Sequence, residues 1–392
     1  MPRVAGNGGS DRPNASRRRL PFDTRRGKET PVVAHHILTV AQTLRGGGVE
    51  RAQLRLAADW LAAGRRVTLA IGETAGPLAA ELPPGIELAA LGSPAYHRLY
   101  RLAGIEAART ADLIFCPGNH YTSVVAWTRA RLGRSCPPIV AKLSNALDRG
   151  DHGGIEAIGY RAWLRLHPRF IDRLVAMSPA MAAEARTEMR FPAERLSVIP
   201  NPPARHAADP SPPPIPTGRF LLGVGRLEPQ KRWDRAIAAL PKLADRGAQL
   251  VILGEGSDRP RLEALVGKLG LAARVSLPGH ALDPRPAIAR AAAVVLTSDY
   301  EGVPGVLREA LALGTPVVTT ESSVAVREIV TSPALGCVVA RHDADALAAA
   351  FDRWLDPAQP RPNPVPEPGE GAAKAYLDLF DELVASRREQ AR

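Results

Sequence analysis

From residue 34 onward, short apolar runs alternate with amphipathic stretches, which is the pattern of strand–helix units around parallel sheets. Ala34 to Val40 predicts a strand, a loop with Gly46, Gly47 and Gly48 follows, and Val49 to Ala62 predicts a helix that Gly64 ends as its C′ residue. Further strands are expected at Val67 to Ile71, Ala111 to Cys116, Ile139 to Leu143, Arg173 to Met177 and Leu196 to Ile199. Pro200 to Thr217 is dense in proline and poor in apolar residues, so it reads as a linker. The alternation then restarts. Strands are expected at Arg219 to Val224, Gln249 to Leu253, Arg274 to Leu277, Ala292 to Thr297, Pro316 to Thr319 and Cys337 to Ala340, with helices at Trp233 to Ala244, Arg259 to Leu269 and Ala346 to Leu355. A second proline-rich stretch, Pro357 to Pro368, precedes a last amphipathic helix from about Ala372 to Ala385. The expected organisation is a tail (1–30), a first domain (31–203), a linker (204–217), a second domain (218–365) and a C-terminal segment (366–392).

A chain of 392 residues with 45% apolar content can build two cores of ordinary size. Its net charge of +11 is uneven: residues 1–30 hold eight Arg or Lys against three Asp or Glu, so +5 belongs to a glycine- and arginine-rich tail expected to be disordered. No zinc-finger spacing, helix-turn-helix signal or aromatic-interleaved basic motif accompanies the charge, which argues against a nucleic-acid partner. Cys116, Cys136 and Cys337 are widely spaced, without a CxxC or CxxH pattern, so neither a disulfide framework nor a zinc site is indicated. No apolar run approaches the roughly 18 residues of a membrane span, and a secretory h-region is missing. A cytoplasmic location is expected.

The chemistry concentrates in residues 298–318, Ser-Asp-Tyr-Glu-Gly-Val-Pro-Gly-Val-Leu-Arg-Glu-Ala-Leu-Ala-Leu-Gly-Thr-Pro-Val-Val. Glu301 and Glu309 flank a loop, Gly302-Val303-Pro304-Gly305, whose proline and glycine suit a helix start. On that helix Val306, Leu307, Ala310, Leu311 and Leu313 can face a core, while Gly305, Glu309 and Ala312 share a stripe that is small except for Glu309. A phosphate could approach the helix N-terminus, with Glu309 one turn on to accept hydrogen bonds from hydroxyls. This segment resembles the E-x7-E signature of retaining glycosyltransferases of family 4. The resemblance, which extends over about residues 34–355, implies an α/β GT-B fold, two Rossmann-like domains with parallel sheets facing across a cleft. In that family a C-terminal helix returns to pack on the N-terminal domain.

The resemblance implies a retaining transfer of a sugar from a UDP- or GDP-linked donor to an acceptor hydroxyl. The setting would be bacterial surface polysaccharide, lipopolysaccharide or lipid-linked glycan synthesis, with no metal and no further cofactor. By carry-over, Glu309 binds the ribose and Glu301 the transferred sugar. Gly225-Arg226-Leu227-Glu228-Pro229-Gln230-Lys231 matches the family's Gly-Arg-Leu then Lys pattern, so Arg226 and Lys231 would hold the diphosphate and stabilise its developing charge. Gly47 and Gly48 resemble the family's glycine loop near the diphosphate and acceptor; a mobile turn is the plainer reading. His120, after the strand ending at Cys116, occupies the place of the family's cleft histidine, and Ser144 stands where a second histidine is common. Glu255 is either a donor contact or part of a tight Gly-x-Gly turn, and Gly279-His280 resembles the base-binding turn.

Asp343-Ala344-Asp345 has the form of a metal-binding DxD, but it precedes a helical run, so Asp343 reads as an N-cap and Asp345 as a complement to the helix dipole. Residues 160–170 mix aromatic, apolar and arginine side chains: either an ordinary amphipathic helix or an interfacial one that would attach the protein to the inner-membrane surface. Three rival functions remain at this level. They are another GT-B sugar-nucleotide enzyme (an epimerase or a phosphorylase), a non-catalytic nucleotide-sugar-binding subunit, and a dinucleotide-dependent oxidoreductase. For the last, Gly46 to Gly48 lacks the G-x-G-x-x-G spacing.

Overall fold

The central strands are short, rich in β-branched residues and buried on both faces, as parallel sheets covered by helices require; the first is His-Ile-Leu-Thr-Val-Ala, buried throughout. The computed structural model describes residues 32–147, 154–205 and 213–390. The expected tail, and residues 206–212 of the expected linker, lie outside them.

The first half runs β1 (His36–Ala41), α1 (Gly48–Ala62), β2 (Arg66–Ile71), β3 (Glu87–Ala90), α2 (Ala107–Thr110), β4 (Leu113–Cys116), α3 (Thr122–Leu132), β5 (Ile139–Leu143), α4 (Gly154–Leu164), β6 (Arg173–Ala176), α5 (Pro179–Glu188) and β7 (Leu196–Val198). The second runs β8 (Phe220–Val224), α6 (Trp233–Ala239), β9 (Gln249–Leu253), α7 (Arg259–Lys268), β10 (Val275–Gly279), α8 (Arg285–Arg290), β11 (Ala293–Leu296), α9 (Gly305–Ala312), β12 (Val317–Thr320), α10 (Val326–Ile329), β13 (Gly336–Val339), α11 (Ala344–Leu355) and α12 (Ala372–Gln390). The two sheets are ordered β3-β2-β1-β4-β5-β6-β7 and β10-β9-β8-β11-β12-β13. All pairings are parallel. Each order reverses direction once, between β1 and β4 and between β8 and β11, and ligands of open parallel sheets bind beyond the strand ends at such switch points.

Several expectations need correction. The helix expected over 233–244 stops at Ala239 and continues as a 3₁₀ turn, Leu240–Lys242, because Pro241 has no N–H to give the Ile237 carbonyl. Leu313 caps α9 and is 37% exposed, whereas Leu307, Ala310 and Leu311 are buried; the left-handed Gly314 that follows carries the chain off the helix. Elements not foreseen include β3, an edge strand with alternating half-buried and exposed residues, the 3₁₀ segment Tyr96–Gly104, and the helices α2, α5, α8 and α10.

Helix α12 lies against the first half. Trp60 of α1 is fully buried between Phe115 of β4 and Tyr376 and Phe380 of α12, with ring centroids 5.2, 5.9 and 5.2 Å away. Its indole N–H donates to the Ala373 carbonyl at 3.3 Å. Asp381 accepts from Arg65 at 2.8 Å and from the Ala34 N–H at 2.7 Å, tying the helix to the start of β1. Among the described residues no helix is long and apolar enough to cross a membrane.

Candidate active site

At the second switch point the chain after β11 runs past the turn after β8. Lys231 ends a 3₁₀ turn begun by Pro229, and the following residue, Arg232, is left-handed (φ 49°). That backbone is pinned by Thr297 Oγ1, which donates to the Lys231 and Arg232 carbonyls at 3.1 and 2.8 Å, and by Asp299, whose N–H donates to the Gln230 carbonyl at 2.9 Å. With its main chain held, Lys231 reaches Glu301: Nζ to Oε1 is 2.6 Å, and Ser298 Oγ donates to the same oxygen at 2.5 Å. Glu301 is buried. A carboxylate neutralised by an ammonium and a hydroxyl is a poor nucleophile and a good orienting group.

Three residues on, Pro304 caps α9, whose first N–H groups have no intrahelical acceptor. Glu309 lies over that first turn, its Oε1 3.6 Å from where a Gly305 side chain would begin. Burial raises its pKa and Glu367 adds to the rise, while Arg55 and Arg51 of α1 pull it down.

The ends of β8, β9 and β10 are laced together by main chain: Leu227 N–H donates to the Glu255 carbonyl at 2.9 Å and Gly254 N–H to the Gly279 carbonyl at 2.8 Å. A Cβ at Gly254 would stand 2.0 Å from the Gly225 carbonyl oxygen and one at Gly256 2.2 Å from that of Leu227. These glycines serve the close approach of two loops, the tight-turn reading. The Glu255 carboxylate is engaged by Arg259 at 2.7 Å. Arg226 leaves its side chain exposed and uses its carbonyl to accept from Trp233 Nε1 at 3.0 Å.

In the first half, Gly47 precedes α1 and Glu50 folds back over it, so that a Cβ there would meet Glu50 Oε2 at 2.4 Å; at Gly48 a Cβ would meet nothing within 4 Å. Tyr121 OH donates to Glu50 Oε1 at 3.2 Å and accepts from the Gln42 N–H at 3.1 Å. Gln42 also fixes the tautomer of His120. Its Nε2 donates to the Pro94 carbonyl at 2.8 Å, which turns Oε1 toward His120 Nε2 at 3.0 Å. An amide oxygen only accepts, so Nε2 carries the proton and Nδ1 is left as an acceptor. Burial of the ring lowers the His120 pKa, although one edge is exposed, and the imidazole is neutral at pH 7. Ser144 bonds Asn119 in both directions: Asn119 N–H donates to Ser144 Oγ at 3.2 Å and Ser144 N–H to Asn119 Oδ1 at 2.8 Å.

The halves meet here. Ala146 N–H donates to the Glu301 carbonyl at 2.9 Å, and a Cβ on Gly302 would lie 2.2 Å from the Ser144 carbonyl oxygen. Arg51 Nη2 is 3.4 Å from His280 Nε2. Of the residues singled out by sequence, Lys231, Glu301, Gly302, Val303, Pro304, Gly305 and Glu309 share one region around the start of α9. Gly279 and His280 lie at the end of β10, and Gly47, Gly48 and His120 belong to the first half. Sequence reasoning missed Gln42 and Tyr121, neither of which carries a spacing signal of its own, and gave no separate role to Glu50, which lies in the glycine-loop stretch 44–51, or to Ser298, which opens the segment 298–318. It also missed Lys142, which lies fully buried in β5 with Nζ donating to Asn201 Oδ1 at 3.2 Å and a pKa that burial lowers to about 8.

Other expectations fall outside the site. Asp343 Oδ1 accepts from the Ala346 N–H at 2.8 Å as an N-cap, and Asp345 pairs with Lys242 at 2.7 Å. In residues 160–170 the interfacial reading loses its aromatic face: Leu164, His167 and Phe170 are buried, and Tyr160 and Trp163 pack against the first core. Arg161, Arg165 and Leu166 are exposed. Cys116 is buried, with its thiol pKa pushed up to about 12 by burial, and is no nucleophile.

Residues 47–202 match the profile of a glycosyl transferase 4-like domain and residues 207–364 that of glycosyl transferases group 1. An exopolysaccharide phosphotransferase of Streptomyces coelicolor is 32% identical over 243 residues, 58% of this chain and 25% of that protein. An alpha-D-kanosaminyltransferase of Streptomyces kanamyceticus is 33% identical over 180 residues, 43% of this chain and 45% of that protein. The chain thus spans a quarter to less than half of the length of these relatives. The structure of Anabaena HepE in complex with UDP and glucose superposes with a TM-score of 0.63 at 19% identity, covering 91% of this chain and 98% of that one, which establishes the fold.

Proposed function

The chain belongs to the family 4 glycosyltransferases of GT-B fold, and we propose that it transfers a sugar, with retention and without a metal ion, from a nucleoside diphosphate to an acceptor hydroxyl. The observation that carries this reading is the Ser298–Glu301–Lys231 cluster beside the N-terminus of α9. Lys231, Arg226 and the first N–H groups of α9 are the positive groups available to a diphosphate, and they would stabilise the charge that grows on it as the glycosidic bond breaks. Glu309 would accept hydrogen bonds from the ribose hydroxyls and Glu301 from the sugar.

In the proposed step the C1–O bond to the diphosphate breaks and its electron pair stays on the phosphate oxygen. The acceptor oxygen bonds C1 on the same face and its proton passes to that phosphate oxygen. No protein nucleophile is needed, which agrees with the engagement of Glu301 by Lys231 and Ser298. His120, neutral and with Nδ1 as an acceptor, would orient the incoming hydroxyl. Any attachment to a membrane surface would rest on Arg161, Arg165 and exposed Ile158 and Leu166; co-sedimentation with anionic vesicles at low salt tests it.

A thermal-shift panel of nucleoside diphosphate sugars tests the donor class. A true donor at 100 times its Kd stabilises by about 2.7 kcal/mol, and indifference to every donor contradicts the reading. Proton NMR of the product then tests retention, since an inverted anomeric centre is incompatible with the same-face step.

A further inference from the structure

A cavity of about 400 Å³ opens between the halves beside the cluster just described. Its mouth is polar, formed by His120 and Asn119 of the first half and by Gln230 and Tyr300 of the second. Its depth is different. There the walls are mainly Trp163, Leu164, Leu174 and Met189, members of or neighbours to the first hydrophobic core, with the buried ring of His167 beside Leu164. The single charged side chain lining it among the described residues is Lys142, itself 1% exposed. One of that amine's hydrogens goes to Asn201 Oδ1, at 3.2 Å.

Such a volume lies within the roughly 300–1,000 Å³ of small-molecule sites. At about 30 Å³ per water it has room for a dozen or so, which suits a ring or a short chain. A polar mouth where the hydroxyl must be presented, with an apolar depth behind it, is complementary to an amphiphile.

Resting on the transferase reading above, we propose that the acceptor is a glycoside or alcohol carrying a compact apolar group. Its reacting hydroxyl lies at His120, and its apolar group fills the space between Trp163, Leu174 and Met189. An oxygen on that group, such as an ether or ester oxygen, accepts a hydrogen bond from Lys142. The acceptor is thus selected by its aglycone as well as by its sugar.

The test uses methyl, phenyl and hexyl glycosides of one sugar, with dissociation constants from ligand-observed NMR on the full chain in the presence of UDP. Each methylene buried tightens binding about fourfold, the equivalent of about 0.8 kcal/mol, so the phenyl and hexyl compounds bind the wild type at least tenfold more tightly than the methyl compound. Met189→Trp fills the depth and abolishes that preference; Trp163→Ala enlarges it and moves the preference toward bulkier aglycones. Equal binding of all three glycosides by the wild type overturns the proposal. So does a preference that survives Met189→Trp and does not move in Trp163→Ala. Calorimetry with UDP and with GDP runs beside these measurements: binding of neither, with the aglycone preference intact, would sink the transferase reading and not the cavity's selectivity.

Discussion

Replacing Lys231 with methionine separates the two things this side chain does. In the wild type Nζ lies 2.6 Å from Glu301 Oε1, and the two side chains are only 16% and 12% exposed. Methionine keeps the aliphatic stem and removes the charge, leaving the Glu301 carboxylate with the hydroxyl of Ser298. Breaking a buried ion pair by removing one partner costs about 3–5 kcal/mol, against at most about 1 kcal/mol for an exposed pair. The small residual exposure places the expectation at the lower end, about 3 kcal/mol. Urea unfolding with an unchanged slope reads that loss directly. Adding Glu301→Gln removes the orphaned charge, so the double variant should recover most of the stability. Nucleotide binding should not recover: both variants lack the positive charge proposed to face the diphosphate, and each should bind the donor's nucleoside diphosphate at least tenfold more weakly by calorimetry. A Lys231→Met protein as stable as the wild type, or a double variant no more stable than the single, would refute the reasoning.

Lys142 has its folded-state pKa lowered from 10.5 to about 8. Between those values the unfolded chain binds more protons, so stability rises with pH across that window, by up to roughly 3 kcal/mol at 1.36 kcal/mol per unit. Lys142→Met should lack this rise and be the more stable protein at pH 7, with the gap closing toward pH 10; parallel pH profiles of the two proteins would refute the assignment. Trp60→Ala removes the ring shared by α1, β4 and α12 and should cost about 3–5 kcal/mol, read by denaturant midpoint. A cost below about 1 kcal/mol would mean that α12 is not anchored there.

What the chain displays locally was legible, and what it assembles from distant segments was not. Residues 298–309 could be read because loop, helix start and both carboxylates lie within a dozen positions, where strand and helix periods place side chains without further information. Pro241 was a readable helix break that the amphipathic run around it concealed. The pairing of Glu255 with Arg259 was not available from helix geometry, since Glu255 lies in the turn before α7 and only Arg259 belongs to the helix. Likewise, the tautomer of His120 depends on Gln42, 78 positions away, and Gln42 in turn on Pro94. The burial of Lys142 depends on which strands flank β5. Trp60 meets Tyr376 and Phe380 only because the chain returns after the second sheet. In residues 160–170 composition left two faces open to either solvent or membrane, and the packing of Trp163 and Phe170 decided which one turned inward.

The central claim is that Glu309, one turn into α9, holds the donor's nucleoside. Calorimetry of a nucleoside diphosphate on wild type and Glu309→Ala tests it most directly. Hydrogen bonds to a charged group contribute about 1.5–3 kcal/mol, so the variant should bind roughly tenfold to a hundredfold more weakly while keeping its fold by circular dichroism. Equal affinity in the two proteins would contradict the account.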